Sequence, residues 1–178
     1  MRVPFSWLKQ YVDVDLAPEE LGDRLTTTGL AVDHIEYTGA DITHVVVGQV
    51  RALERHPEAD HLWVVQVDIG SGSLQPVITG AQNLTPGARV PLALPGATLP
   101  GGQKIEATRF RGLLSAGMLC SARELGLPED RPEEEAGILI LEQEAAPGTD
   151  IRVVLGLGDT VFDLDVTPNR PDCLSMIG

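Results

Sequence analysis

The chain has 178 residues, enough for one ordinary domain or two small ones, and its 43% of hydrophobic residues argues against a disordered chain. Only 4% of the residues are aromatic, whereas 19 glycines and 13 prolines favour short strands joined by tight turns. No stretch approaches the roughly 20 apolar residues of a membrane span, and the N-terminus lacks the features of a signal peptide. We therefore expect a cytoplasmic protein without membrane contact.

The formal net charge of −13 is unfavourable for a nucleic-acid-binding protein, because phosphate affinity comes largely from Lys and Arg. Much of the acidic excess lies in residues 129–144, where Arg131 is the only basic residue. We expect residues 129–135 to form a solvated loop. Between residues 41 and 127 acidic and basic side chains balance one for one. Any contact with nucleic acid in that region must therefore be focused and modest.

The cysteine and histidine patterns predict no metal site. Cys120 and Cys173 are far apart in the sequence and form no CxxC pair, so we expect two reduced thiols packed as small hydrophobic groups. The four histidines have neither HxxxH nor HExxH spacing.

The first 39 residues predict two helices and one strand. Ser6 can cap a short helix over residues 7–11, because its side chain can accept a hydrogen bond from the first turn. A second helix begins at Pro18 and ends at Gly29. Residues 30–37, which follow that glycine, are expected to form a strand.

The middle of the chain predicts a small β barrel or sandwich, because β-rich runs alternate with turn signals. The four runs are residues 45–53, 62–68, 74–79 and 89–94. The turn signals between and after them include His56-Pro57, Gly70-Ser71-Gly72 and Pro95-Gly96. The next run, residues 104–111, alternates imperfectly, so we expect a β-bulge there.

The last third of the chain predicts one more short helix and two strands. Ser121 can cap a helical turn over residues 122–125, and residues 137–141 are expected to form a buried strand before a turn at Pro147-Gly148. Residues 160–166 alternate apolar and polar side chains. We expect their apolar face to join the first segment of the chain in one sheet.

Two sets of motifs carry a resemblance to a known family. The first set is HPEADHLWVVQVDIG (56–70), GAQN (80–83), VPLALPGATLPGG (90–102) and RGLLSAGMLCSAREL (111–125). These motifs resemble the tRNA-binding domain of synthetase β subunits, methionyl-tRNA synthetase extensions and stand-alone tRNA-binding proteins. The second set is FSWLKQYV (5–12), TTTGLAVDHIE (26–36) and LDVTPNRPDCLSMIG (164–178). These flanking motifs resemble only the β subunit of bacterial phenylalanyl-tRNA synthetases.

The resemblance implies a mainly β chain with an α+β part, in which a five-stranded oligonucleotide-binding (OB) barrel is inserted between the halves of a small α+β domain. The expected boundaries are residues 1–39 for the first half, 40–150 for the tRNA-binding barrel and 151–178 for a truncated return segment. We expect the chain to be an N-terminal fragment of a protein several-fold longer.

The implied function is auxiliary tRNA binding and scaffolding within an α2β2 phenylalanine-tRNA ligase. The parent enzyme would use ATP, Mg²⁺, phenylalanine and its cognate tRNA, together with the α subunit and a second β subunit. We find no phosphate-binding loop and no catalytic constellation, so we assign no catalytic residue and no cofactor to this chain. Two alternatives remain: a purely structural module with little RNA contact, or a stand-alone tRNA-binding chaperone.

The candidate RNA contacts lie within the expected barrel. Arg109 and Arg111 are two apart on one predicted strand, so both guanidinium groups should point to one face and clamp phosphate oxygens. Solvated surface charges are an equally good interpretation. Further candidates are Lys104, Arg89, Asn83, Ser115, Met118 and Ser121. The last three match the SxGMxCS signature of the family.

Several of these candidates also have plain structural interpretations. Asn83 is a common turn residue, and Met118 is a typical core or rim side chain. His61 stands where the family commonly has a lysine, which weakens the case for tRNA binding. In the terminal motif we expect Asn169 to satisfy turn amides and Arg170 to pair with a carboxylate such as Asp165.

Overall fold

The computed structural model describes residues 1–127, 137–168 and 170–175. The chain is mainly β, and its strands pair in antiparallel fashion. It divides into two compact units: Asp41–Leu155, and Met1–Ala40 together with Gly156–Gly178. In the described residues no helix is long and apolar enough to cross a membrane.

The described helices and strands occur along the chain in the following order. The first unit begins with β1 (Arg2–Pro4), α1 (Phe5–Leu8), α2 (Pro18–Thr27) and β2 (Ala31–Tyr37). The larger unit contains β3 (Thr43–His56), β4 (Ala59–Asp68), β5 (Leu74–Thr79), β6 (Arg89–Leu99), β7 (Gln103–Lys104), β8 (Thr108–Phe110), β9 (Leu113–Ser115), β10 (Met118–Leu119), a 3-10 helix (Arg123–Leu125) and α3 (Ile151–Val154). The chain then returns through β11 (Thr160–Asp165) and a second 3-10 helix (Pro171–Leu174).

The smaller unit is a three-stranded sheet in the order β1-β11-β2, packed against the helices. The alternating strand expected over residues 160–166 is confirmed as β11, and it lies between the two strands of the first segment. Its apolar side chains Phe162 and Leu164 are buried with Val3, Phe5 and Leu21. The rings of Phe5 and Phe162 meet edge to face with centroids 5.7 Å apart.

One local expectation for the smaller unit is wrong. The first helix begins at Phe5 directly after Pro4, and Ser6 does not cap it. Instead the Ser6 hydroxyl donates to the Asp159 carboxylate at 2.6 Å, so a bond across the unit replaces the local cap. Arg170 pairs with a carboxylate as expected, and its partner is Asp172 at 3.0 Å, in the 3-10 helix that follows it, instead of the suggested Asp165. The expectation for Asn169 lies outside the described residues.

The larger unit is built on an antiparallel sheet in the order β10-β6-β3-β4-β5, and β7 pairs with the far end of β6. The segment between β9 and β10 also contacts β5, since the Ala116 amide donates to the Pro76 carbonyl at 2.7 Å. This bond brings the β10 end of the sheet next to β5 at its other end, so the sheet curves into a barrel-like shape. Its core is rich in valine and leucine and includes Val50, Val65, Val67, Val77, Val90, Leu92 and Leu119.

Two further expectations need correction in the larger unit. Strand β6 continues through Pro95-Gly96, where we expected a turn; Gly96 has a φ of 89°, and its amide donates to the Ile105 carbonyl at 2.7 Å. Residues 137–141 form no strand, although the amides of Leu139 and Leu141 donate to the Cys120 and Arg89 carbonyls. These two bonds do not build a ladder. The acidic loop expected over residues 129–135 lies outside the described residues.

Both cysteines are buried and unpaired, as expected. Burial raises the pKa of the Cys120 thiol from its ordinary value of 9.0 to about 12, and the nearby Glu124 carboxylate contributes in the same direction. Since only the unfolded thiol then ionises between these two values, stability is expected to fall as the pH rises through that interval.

We predict that Cys120 is inert to thiol reagents at pH 8 in the folded protein, because only about one thiol in ten thousand would be ionised. The measurement is labelling by an aromatic disulfide reagent in a Cys173→Ala variant, with and without denaturant. Labelling should require unfolding. Stoichiometric labelling of the native variant within minutes would contradict the prediction.

Candidate nucleic-acid interface

Residues 104–111 do not form the single bulged strand that was expected, because β7 ends at Lys104 and β8 begins only at Thr108. Strand β8 belongs to a short hairpin. Strand β8 pairs with β9 through Phe110↔Leu113, so Arg111 and Gly112 form a two-residue connection. Both residues have positive φ angles, 46° and 88°. This is the conformation of a type I′ turn, whose twist matches that of the paired strands. We call residues 108–115 the hairpin.

The hairpin changes the expected arrangement of the two arginines. Arg109 and Arg111 were expected on one face of one strand, but β8 ends at Phe110 and Arg111 lies in the turn. The Arg109 guanidinium donates to the Gly112 carbonyl at 3.2 Å. The Arg111 guanidinium donates to the carbonyl of Glu58. Both cations are therefore on the hairpin, but they do not form a parallel pair of phosphate clamps.

The hairpin lies against the turn between β3 and β4. The Arg111 contact with Glu58 forms one link, and the second joins the His56 ring nitrogen Nε2 to the Phe110 carbonyl at 3.3 Å. The hairpin and this turn together form one surface, which we call the turn surface. Phe110 is 44% exposed on it, so its ring is accessible to a planar partner.

A second feature near the same strand ends escaped the sequence analysis. The Arg55 guanidinium stacks over the Trp63 ring at 4.7 Å from its centroid, and it also donates to the Asp60 carbonyl at 2.7 Å. Arg55 and Trp63 are cross-strand partners next to a break in the pairing register. Because this register shift determines which residues face each other, the spacing of Arg55 and Trp63 in the sequence does not predict their contact. His61 is exposed on β4.

A cleft of about 650 Å³ adjoins the hairpin and brings four of the candidates together. Its lining includes Phe110 and Thr108 of the hairpin. The four candidates that line it are Lys104, Ser115, Met118 and Ser121. Glu106 and Glu124 also line the cleft, so its charge is mixed.

The two serines of the cleft are engaged within the protein. Ser115 is 2% exposed; its hydroxyl accepts from the Ile78 amide at 3.0 Å and donates to the Gly117 carbonyl at 2.9 Å. Ser121 accepts from the Glu124 amide at 3.3 Å, while its own amide donates to the Glu124 carboxylate at 2.7 Å. This reciprocal pair is a capping box, so the expected capping role of Ser121 is confirmed.

The two remaining candidates lie outside the lining of the cleft. The Asn83 side chain makes two hydrogen bonds to the backbone of Ile138: it donates to the carbonyl at 2.8 Å and accepts from the amide at 3.1 Å. Its amide thus fixes the chain at residue 138, while one N–H and one lone pair of this exposed side chain stay open to a ligand. Arg89 begins β6 opposite Gln49, and its Nε atom is buried without a hydrogen-bond partner among the described residues.

Comparison with known proteins gives one family and a set of close relatives. The family described as "Putative tRNA binding domain" matches residues 45–150. A phenylalanine-tRNA ligase β subunit of Moorella thermoacetica is 51% identical over 100% of this chain and 22% of its own length. The corresponding subunit of Symbiobacterium thermophilum is 50% identical over 100% of this chain and 20% of its own length. The chain thus spans about a fifth of the length of these relatives.

Among solved structures, the C-terminal domain of Plasmodium vivax p43 aligns with a TM-score of 0.44 and 20% identity, over 61% of this chain and 58% of that one. The family match covers more than half of the chain and falls within the larger unit, Asp41–Leu155. The match to these relatives covers the whole of this chain and therefore both of its units. The chain belongs to the putative tRNA binding domain family, and over its whole length it is similar to phenylalanine-tRNA ligase β subunits.

Proposed function

We propose that this chain is an auxiliary tRNA-binding and scaffolding region of phenylalanine-tRNA ligase, contributed by its β subunit. The observation that carries the proposal is the family match over residues 45–150 within a chain whose flanks also match these subunits. The proposal includes the cognate tRNA, the α subunit and a second β subunit as partners in a cytoplasmic α2β2 enzyme. That enzyme would consume ATP, with Mg²⁺, and phenylalanine.

We assign the chemistry of that enzyme to parts of it outside this chain. The described portions of the chain contain no group of three or more His, Cys, Asp or Glu side chains that could hold a metal ion. The sequence also lacks a phosphate-binding loop of the GxxxxGK[ST] type. The role of this chain is therefore to bind and to position, and we propose no catalytic residue in it.

The proposal includes an OB barrel of five strands, β3, β4, β5, β6 and β10, within residues 40–150. Residues 1–39 and 151–178 would be the two halves of the α+β domain into which the barrel is inserted. Proteins with this barrel bind oligonucleotides on the loops between strands 1 and 2 and between strands 4 and 5. In this chain those loops are the β3-β4 turn and the segment that carries the hairpin. They form the turn surface.

On the turn surface the side chains have different roles in the proposed contact. Arg109 and Arg111 supply positive charge to phosphates, and Phe110 offers a face on which an unpaired base can stack. Lys104 and Met118 extend the contact into the cleft. Because each cation neutralises about one phosphate, the binding should be weak and strongly dependent on salt.

The remaining four candidates contribute less directly. Ser115, Ser121 and Asn83 hold the backbone that shapes the cleft, through the hydrogen bonds described above. Arg89 stays a candidate contact, although it lies outside the cleft lining. The internal bonding of the two serines and Asn83 favours the second candidate function, a structural module of the β subunit that contacts little RNA.

The proposal is tested by affinity measurements on variants at about 50 mM salt, where phosphate contacts are strong. Arg109→Gln and Arg111→Gln should each weaken tRNA binding by about tenfold, because each removes one charge-assisted contact. Met118→Ala should lower the affinity without changing its salt dependence, because an apolar contact releases no counterion. The matched control is Arg51→Gln, which removes a cation that is already paired with Asp68 at 2.7 Å.

The control separates local contacts from general charge. If all three arginine variants weaken binding equally, the turn surface is not the site and net charge alone controls affinity. If none of them changes the affinity, or if the wild type binds no tRNA at low salt, the structural module is the correct function.

A further inference from the structure

We propose that His56 is a positioning residue that holds the hairpin against the β3-β4 turn, in the arrangement that tRNA contact requires. This inference rests on the proposed function of the turn surface. It goes beyond it by assigning a role to a buried side chain that is not itself a candidate contact. The geometry of one imidazole ring carries the argument.

His56 is the last residue of β3 and is only 3% exposed, so both of its ring nitrogens must find partners inside the protein. The Nδ1 atom accepts a hydrogen bond from the Glu58 amide at 3.1 Å. Since a backbone amide can only donate, Nδ1 carries no proton. The neutral ring then has its proton on Nε2, which donates to the Phe110 carbonyl at 3.3 Å. One ring thus joins the turn to the hairpin.

The hairpin depends on such links because it has few others. It is a separate two-stranded sheet of three residue pairs, and five of its six strand residues are exposed. Its C-terminal end is anchored to β5, where Ser115 accepts from the Ile78 amide. Near its turn, the described residues join it to the end of β3 and to the β3-β4 turn by the hydrogen bonds of His56 to Phe110 and of Arg111 to Glu58. An isolated two-stranded hairpin is marginally stable at best.

Two substitutions separate the two hydrogen bonds of the ring. In His56→Gln the side-chain amide reaches the position of Nε2 and can donate to the Phe110 carbonyl, but the bond to Glu58 is lost. In His56→Asn the shorter amide reaches only the position of Nδ1, so it keeps the bond to Glu58 and loses the link to the hairpin. If His56 acts through its donor, Gln should preserve the position of the hairpin and Asn should not.

The first readouts need no RNA. Imidazole nitrogen-15 shifts of the wild type should show the proton on Nε2. Amide exchange in the hairpin should be about fivefold faster in His56→Asn than in the wild type and His56→Gln, because one net hydrogen bond is lost. Amides of β4 and β5 serve as the internal control and should exchange alike in all three proteins.

The second readout is tRNA affinity, which should fall by about fivefold in His56→Asn and remain near the wild-type value in His56→Gln. Equal hairpin exchange in the two variants, or a proton on Nδ1, would overturn the positioning role whether or not RNA binds. Faster hairpin exchange in His56→Asn with unchanged tRNA affinity would also overturn it. A wild type that binds no tRNA would instead overturn the proposed function, which distinguishes the two failures.

Discussion

Replacing Gly117 by alanine is expected to destabilise the larger unit by roughly 2–5 kcal/mol. A Cβ atom at this position would lie 2.4 Å from the Ala93 carbonyl oxygen, and the φ angle of Gly117 is 141°. The clash is with backbone, which cannot rotate away as a side chain can. It occurs where β10 pairs with β6 at Met118↔Ala93, so relief would require the strands to separate.

A matched control is available on the hairpin. Gly112 also has a positive φ, 88°, but a Cβ atom there would meet nothing within 4 Å. Gly112→Ala should therefore cost only the backbone strain, about 1–2 kcal/mol. The free energy of unfolding of both variants is measured in urea, with hydrogen exchange of the β3 and β6 amides as the probe of the larger unit. Equal losses for the two would show that close packing of β10 against β6 is not required.

Replacing Phe162 by alanine is expected to destabilise the smaller unit by about 3–5 kcal/mol. Phe162 is fully buried at the centre of β11 and contacts the Phe5 ring edge to face. The unit has a small core, so the loss is a large part of the stability that a domain of this size can have. Amides of β2 and β11 should lose exchange protection.

The control for this substitution is Val12→Ala, which trims a side chain that is 54% exposed and should change stability by less than about 0.5 kcal/mol. Amides of β3 and β4 provide a second comparison within the same molecule. If Phe162→Ala reduces protection in both units to the same extent, the two do not unfold as separate compact bodies.

The regular elements were readable from sequence where local signals and tertiary packing agree. Pro18 and Gly29 bracket α2, and the alternation over residues 160–166 gave β11, because a strand between two others must bury one face. The errors fall where a distant partner overrides a local signal. Ser6 bonds to Asp159 instead of capping α1. Pro95 and Gly96 stay within β6, because the Gly96 amide donates to the Ile105 carbonyl.

For the candidate site, the sequence predicted which residues take part but not how they are arranged. Arg109 and Arg111 were identified as cations of the barrel, but their geometry depends on a positive φ at Arg111, which is uncommon for a residue with a side chain. No local signal other than the following Gly112 pointed to it. His56 was identified only as part of a turn, because its hydrogen bond to the hairpin reaches Phe110, 54 residues away in sequence.

We propose that the turn surface binds tRNA through a few phosphate contacts. The most direct measurement is the affinity of the chain for tRNA at a series of salt concentrations. We expect binding at low salt, with the logarithm of the affinity falling linearly against the logarithm of salt at a slope of about −2, as for two or three neutralised phosphates. No binding at low salt, or an affinity that does not change with salt, would contradict the claim.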